Sequence, residues 1–388
     1  MIDAVMRRHS LIFVLLVVAS TSVFAKTEIG QLNQAKFRID IPDNWNHGLV
    51  MYCHGYNPEP EAFKDKPLDP SLAMFLRAGY AVAQSGYSTG GWAIEQAVVD
   101  TEVLRQYFAE KYGKPSETYV SGDSMGGLLT VLMIEKYPDA YDAGLALCGV
   151  IGAAPKFMQQ AFDDRVVFDY YFPGLLPSPA KVPPSYEMSE KLTTKILRAL
   201  NAKPLASAAV RAYSDVRSNH ELADGIVFLT YILKDLEQRS GGNPFDNRNT
   251  IYTRLPASDA VNDHIARYEA DPGALAYLQQ FYTPSGHLTR PVLAIHTSYD
   301  PLVSPAIPSD YFLVAREAGA GQFFVQQYVK HNGHCNIKPA EVDRGFTELV
   351  AWKKNGKAPK AGWLRVENEP TGHKKLVKGA INKSAKKR

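Results

Sequence analysis

The run Thr118-Tyr119-Val120-Ser121-Gly122-Asp123-Ser124-Met125-Gly126-Gly127 decides the fold. Thr118 to Val120 is β-branched and aromatic and reads as a strand, and Gly126 to Lys136 reads as a helix stopped near Pro138. A serine presented on a sharp strand-to-helix turn needs glycine two residues before and two after it, because side chains there would crowd the turn. Gly122 and Gly126 stand at those positions around Ser124. The five-residue pattern recurs by chance, and an inert serine on a glycine-rich turn is the competing reading. The strand and helix on either side are what make it specific.

Outward from this turn the chain alternates strand and helix. Leu49 to Cys53 is a short apolar run entering the loop His54-Gly55, consistent with a buried parallel strand. Leu72 to Ala78 reads as a helix, Tyr80 to Gln84 as a strand, Ala93 to Lys111 as an amphipathic helix and Ala143 to Cys148 as a strand. This order implies a parallel sheet covered by helices on both faces. Between Gly149 and Thr289 only helices are expected, around Lys156 to Tyr171, Glu187 to Ala202, Leu222 to Gln238, Ala260 to Glu269 and Ala274 to Phe281. Alternation resumes with Pro291 to His296 as a strand, Ile307 to Glu317 as a helix, Phe323 to Val329 as a strand and Ala340 to Trp352 as a closing helix. The predicted organisation is a core of residues 26–149 and 290–352, a large helical cap insertion at 150–289, and a basic tail at 353–388.

A serine hydroxyl is a weak nucleophile until a base takes its proton and an acid orients that base. In this architecture the chain order is serine, acid, histidine. Asp300 stands just past the first strand after the insertion and is the expected acid, although with Pro301 it would also open a turn. After the last strand the chain reads His331-Asn332-Gly333-His334-Cys335. His334 is the expected base, because Gly333 frees the loop to project it, and His331 is read as a rim histidine. Backbone N–H groups of Met125 and Tyr56 are the expected oxyanion donors. His54 is read as loop structure, and Trp92, in Ser88-Thr89-Gly90-Gly91-Trp92, as a substrate-binding candidate. Phe168, Tyr170, Tyr171, Phe172 and Phe228 supply aromatic side chains for an acyl pocket in the insertion.

The chain resembles the α/β-hydrolase superfamily, in particular its secreted bacterial serine esterase-like members. The matching pieces are Asn44-Trp45-Asn46 leading to His54-Gly55-Tyr56, the Ser124 turn, the Asp300 segment and Gly333-His334-Cys335. The resemblance implies an eight-stranded mixed sheet and hydrolysis of a small-molecule or polymer ester through an acyl-enzyme. Some feruloyl esterase and tannase relatives join cysteines beside the serine and histidine. Here Cys335 follows His334 but no cysteine precedes Ser124, so that device is absent in its usual form. A serine peptidase with the same three residues is the alternative, and paired acidic residues in the insertion able to hold a free amino terminus would favour it.

Of the 388 residues 45% are hydrophobic and 21% charged, enough apolar side chains to offset chain entropy, which excludes a disordered chain. Arg7 and Arg8, the apolar run Leu11 to Ala19 and Val23-Phe24-Ala25 form the pattern of an export signal cleaved after Ala25, too short for a stable membrane span. A secreted or periplasmic protein is therefore expected. The remaining cysteines are Cys53, Cys148 and Cys335, without metal-ligand spacing, so neither a metal nor another cofactor is expected. Cys148 ends a strand and Cys335 lies in the histidine loop over the same sheet edge, while Cys53 is central, so Cys148 and Cys335 are the expected pair. From Lys353 onward twelve Lys and Arg face only Glu367 and Glu369, which leaves the body acidic. That basic tail reads as a solvated extension and not as a nucleic-acid arm.

Overall fold

The computed structural model describes residues 25–152 and 154–366. The expected export signal, residues 1–25, lies outside them as far as residue 24, as does the tail from residue 367. Among the described residues nine strands form one sheet: β1 (Ala25–Leu32), β2 (Ala35–Pro42), β3 (Gly48–Cys53), β4 (Ala81–Ser85), β5 (Glu117–Asp123), β6 (Ala143–Leu147), β7 (Val292–Tyr299), β8 (Phe324–Asn332) and β9 (Gly362–Trp363). Their order is β1-β2-β4-β3-β5-β6-β7-β8-β9. β2 runs antiparallel to both β1 and β4, and every other pairing is parallel. The exchanged order of β3 and β4 beside an antiparallel β2 is the α/β-hydrolase arrangement, with a mostly parallel central sheet and helices on both faces.

Side-chain alternation along the strands assigns the two faces. Leu49, Met51 and Cys53 of β3 pack into the core shared with α2 (Ile94–Tyr112) and α3 (Met125–Lys136). Val50 faces the opposite core, shared with α1 (Pro70–Arg77) and α11 (Pro339–Asn355). Between β6 and β7 stand α4 (Ala154–Tyr171), α5 (Glu190–Ala202), α6 (Pro204–Ser214), α7 (Asn219–Ser240), α8 (Ser258–His264) and α9 (Pro272–Phe281). The chain then re-enters the sheet, and α10 (Ile307–Glu317) links β7 to β8.

The hairpin β1–β2 has no counterpart in the sequence expectation, because an edge strand such as AKTEIGQL carries too few apolar residues to alternate visibly. Helix α6 is likewise unexpected, since only Lys203 separates it from α5. The tail expected from residue 353 begins later. α11 runs to Asn355, Lys353 reaches Glu117 at 3.4 Å and Asp142 at 3.1 Å, and Gly362–Trp363 adds a ninth strand to the eight implied.

Within α7, Gly225 lies in the helix interior, and a methyl group there would meet nothing within 4 Å. Because glycine loses more backbone freedom on folding than alanine, Gly225→Ala should raise stability by about 0.5–1 kcal/mol, read from urea unfolding. A fall in the midpoint would mean that α7 is not helical at this position.

Candidate active site

Ser124 caps α3 with φ +55 and ψ −117, a backbone region that a residue with a side chain enters only when its surroundings hold it there. Those surroundings are specific. The Ser124 N–H donates to Leu147 O at 2.9 Å, and the Ser124 carbonyl accepts from Gly127 N at 3.0 Å and Val150 N at 3.3 Å. A Cβ on Gly126 would collide with the Cys53 carbonyl, and one on Gly122 would collide with both the Gly126 and Cys53 carbonyls. Glycine at both positions therefore lets α3 begin against the end of β3. Asp123 turns away from the serine and accepts a hydrogen bond from Tyr52 Oη.

The loop after β8 brings His334 to the serine. His334 Nε2 lies 2.8 Å from Ser124 Oγ, and His334 Nδ1 lies 2.7 Å from Asp300 Oδ2. Gly333 fixes the loop at φ +102, its N–H bonded to Tyr299 O at 2.8 Å and its carbonyl to Thr297 Oγ1 at 3.1 Å. Immediately after the histidine, Cys335 is joined to Cys148 with 5.2 Å between their Cα atoms. Asp300 is buried, which alone would raise its carboxyl. The His334 hydrogen bond and charge, with the N–H groups of Val303 and Leu302, outweigh that and hold it below the usual carboxylate range.

The other expected residues divide. Met125 is the first residue of α3, where a backbone N–H has no carbonyl one turn earlier to bond. Tyr56 lies in the loop after β3, its ring 6.1 Å from that of Trp92 and edge-on to Phe228 at 5.4 Å. Trp92 is buried and does not border the cavity beside Asp300; its N–H donates to Asp235 Oδ2 at 2.5 Å and its carbonyl accepts from Tyr282 Oη. His54 stacks on Tyr87 with ring centres 4.0 Å apart. His331 is not in the loop. It lies on β8 and bonds Glu341 at 2.9 Å, away from the serine. Phe168 and Phe172 do not line the cavity beside Asp300 either: both are fully buried and stack on each other at 5.2 Å, because the insert must build its own core before it can cover anything.

Several residues around the site escape sequence reading. His296, on β7 four residues before Asp300 and fully buried, stands 4.0 Å from the carboxylate, and burial pushes its imidazole toward the neutral form. Helix α7 is tied to the core at both ends. At its start Glu221 accepts from Tyr299 Oη at 3.1 Å, and the Arg217 guanidinium lies 3.5 Å over the Tyr299 ring. Toward its end Asp235 holds Trp92 N, and Arg239 donates to Gly90 O. The chain thus stretches one helix across the rim. No group of three or more His, Cys, Asp or Glu side chains among the described residues is arranged to hold a metal ion.

The profile of the Tannase-like family of unknown function (DUF6351) matches residues 29–226, about half of the sequence. The chain belongs to this family. The matched span covers the Ser124 turn and the insert into α7, and leaves Asp300 and His334 beyond it. No curated protein matches the chain. Among solved structures it is similar to an esterase of Pyrococcus furiosus, 14% identical over 86% of this chain and 88% of that one, with a TM-score of 0.42. It is also similar to an esterase from Aspergillus oryzae, 15% identical over 86% and 80%, with a TM-score of 0.46. A Pyrococcus horikoshii acylaminoacyl peptidase is 9% identical over 86% of this chain but only 42% of its own, with a TM-score of 0.48. These likenesses are distant, and the fold stands on the chain's own strand order.

Burial pushes the Cys53 thiol up to about 12 and shields it, so alkylation of the native protein should leave Cys53 unmodified until the chain unfolds. A non-reduced peptide map should return Cys148 linked to Cys335. Recovery of both as free thiols from the native protein would contradict this geometry.

Proposed function

We propose that the protein is a serine hydrolase that cleaves carboxylic esters through an acyl-enzyme. The observation that carries the reading is His334, placed between Ser124 Oγ at 2.8 Å and Asp300 Oδ2 at 2.7 Å on a strand-turn-helix that exposes the serine. In the first step His334 Nε2 accepts the Ser124 proton as Oγ bonds the ester carbonyl carbon, and the carbonyl π pair moves to oxygen. Asp300, ionised and bonded to Nδ1–H, keeps the imidazole in the tautomer that can accept and steadies the imidazolium. The Met125 and Tyr56 N–H groups are the proposed oxyanion donors. When the oxyanion pair re-forms the carbonyl, the C–O bond to the alcohol breaks and His334 returns its proton to the leaving oxygen. Water repeats the two steps on the acyl-serine and releases the acid. The Cys148–Cys335 bond suits an oxidising compartment and supports reading residues 1–25 as an export signal.

A fluorophosphonate probe should label Ser124, and a panel of p-nitrophenyl esters and peptide p-nitroanilides should show turnover on the esters. Ser124→Ala and His334→Ala should each cut kcat by about a thousandfold or more with the melting curve unchanged, whereas His331→Ala should cost about tenfold or less. Folded Ser124→Ala that keeps most of the activity, or turnover confined to the anilides, would overturn the reading.

A further inference from the structure

A cavity of about 250 Å³ lies beside the Ser124 turn, bounded by α1, the start of α11 and the ends of β3, β5 and β6. Leu72, Phe75, Ile337 and Val342 give it apolar walls, and Cys148 and Cys335 complete the lining, so the disulfide faces this space. Cys148 is fully buried and Cys335 only half-buried. Cys335 is therefore the sulfur that a small reagent entering the cavity meets first.

That sulfur touches the base. Cys335 Sγ lies 3.5 Å from His334 Nε2, the same nitrogen that faces Ser124 Oγ at 2.8 Å. In the disulfide the sulfur carries no hydrogen and is at most a weak acceptor, so Ser124 alone offers Nε2 a proton. Opening the bond changes this, because a thiol, at about 8.5, is far more acidic than a serine hydroxyl. Its proton passes to Nε2 at rest, and a thiolate–imidazolium pair has no lone pair left with which to accept the Ser124 proton. The loop does not depend on the bond alone. Gly333 is held by Tyr299 O and Thr297 Oγ1, Ile337 N–H donates to Cys335 O at 2.7 Å, and Cys148 N–H donates to Ile295 O at 2.7 Å. Reduction therefore leaves the Cys335 sulfur beside the imidazole.

We infer that the Cys148–Cys335 bond is a thiol-exchange site that controls the base: a small dithiol entering the cavity opens it, and the Cys335 thiol so formed takes His334 from Ser124. The inference rests on the serine hydrolase reading above and adds a control to that same site. In the first step one thiolate of the dithiol bonds Cys335 Sγ, the S–S bond breaks, and its electron pair leaves on Cys148 Sγ. In the second the other thiolate of the dithiol bonds the first reagent sulfur and releases Cys335 as thiolate. The dithiol gives up two electrons and two protons and becomes a cyclic disulfide. The electrons reduce the S–S bond, one proton ends on Cys148, and the other is shared between Cys335 and His334 Nε2. The cyclic disulfide runs the same steps in reverse.

The test uses variants that all lack the bond but differ in the thiol. Cys335→Ala and the double variant C148A/C335A remove the sulfur beside His334, whereas Cys148→Ala keeps it as a free thiol. In kcat/KM for p-nitrophenyl acetate the first two should agree, and Cys148→Ala should fall below them by about tenfold or more, the loss when about nine imidazoles in ten are held protonated. Adding Cys335→Ala to Cys148→Ala should thus raise activity, which loss of the tether alone does not do. A second measurement needs no variant. Wild type reduced with dithiothreitol, then freed of reagent without oxygen, should react with a fluorophosphonate probe about tenfold or more slowly than the oxidised protein and recover on treatment with oxidised dithiothreitol. A third needs no substrate: at about pH 6, below the ordinary thiol range, iodoacetamide should alkylate Cys335 of the reduced wild type about tenfold or more faster than Cys335 of reduced His334→Ala. Cys148→Ala as active as the double variant, reduced wild type labelled at the full rate, or Cys335 alkylation indifferent to His334 would each overturn the inference. An oxidised wild type with neither ester turnover nor fluorophosphonate labelling would instead overturn the hydrolase reading, and the alkylation comparison would still report the thiol–imidazole pair.

Discussion

The approach of α3 to the end of β3 is the constraint on which the rest of the site depends. Gly126 sits so close to the Cys53 carbonyl that a side chain at this position has no space, and that contact forces the chain to reverse within the single residue Ser124. The reversal costs backbone strain, and the Leu147 carbonyl holding Ser124 N and the loop N–H of Val150 on Ser124 O offset it. The hydroxyl therefore stands at a point set by the sheet. Every other functional group has to be delivered to it from a different strand end.

For the histidine that delivery combines three ties within a few residues. Gly333 is bonded to β7 through both its N–H and its carbonyl, Asp300 fixes the ring by Nδ1, and the Cys148–Cys335 bond anchors the residue just beyond the ring to the end of β6. Cys148 lies one residue past a strand that neighbours β5, so the bond ties the His334 loop to the strand pair that fixes the serine. It also closes a loop 187 residues long that contains the entire insert. The crossing from sheet to insert therefore starts from a clamped point at Cys148. The serine-side anchor is thus made from the strand beside β5.

The parts of this arrangement that were legible in the sequence are those governed by local rules. Glycine at 122 and 126 follows from sterics within one turn, and the order of Ser124, Asp300 and His334 follows from the order of strand ends. Cys148 and Cys335 could be paired because each sat next to an element already placed. What the sequence withheld depends on long-range partners. Asp164 reads as an ordinary helix residue until α6 and the Asp300 loop close around it. Trp92 reads as a pocket residue until Asp235 and Tyr282, from α7 and the end of α9, bury it. His331 reads as a loop residue because nothing local shows that β8 continues through Asn332 to meet Glu341 on α11. Phe168 and Phe172 misled for the same reason, since a helical insert uses its largest side chains first for its own core, while Tyr170 and Tyr171 stay partly exposed.

The two buried acids on either side of the Asp300 loop show how the same desolvation gives opposite charge states. Burial pushes both carboxyls up. Asp300 receives the His334 N–H on one oxygen and the backbone N–H groups of Leu302 and Val303 on the other, so both oxygens are answered and ionisation wins. Asp164 receives Gln160 and Ser214 on one oxygen only, has Asp163 beside it, and rises to about 7. The negative charge behind His334 is thus permanent over the working range of a protein, and the one on Asp164 is conditional. A fixed charge suits a group that holds one imidazole in a single orientation. A conditional one needs no fixed counter-charge, because the carboxyl can take up a proton instead of standing ionised among largely apolar neighbours.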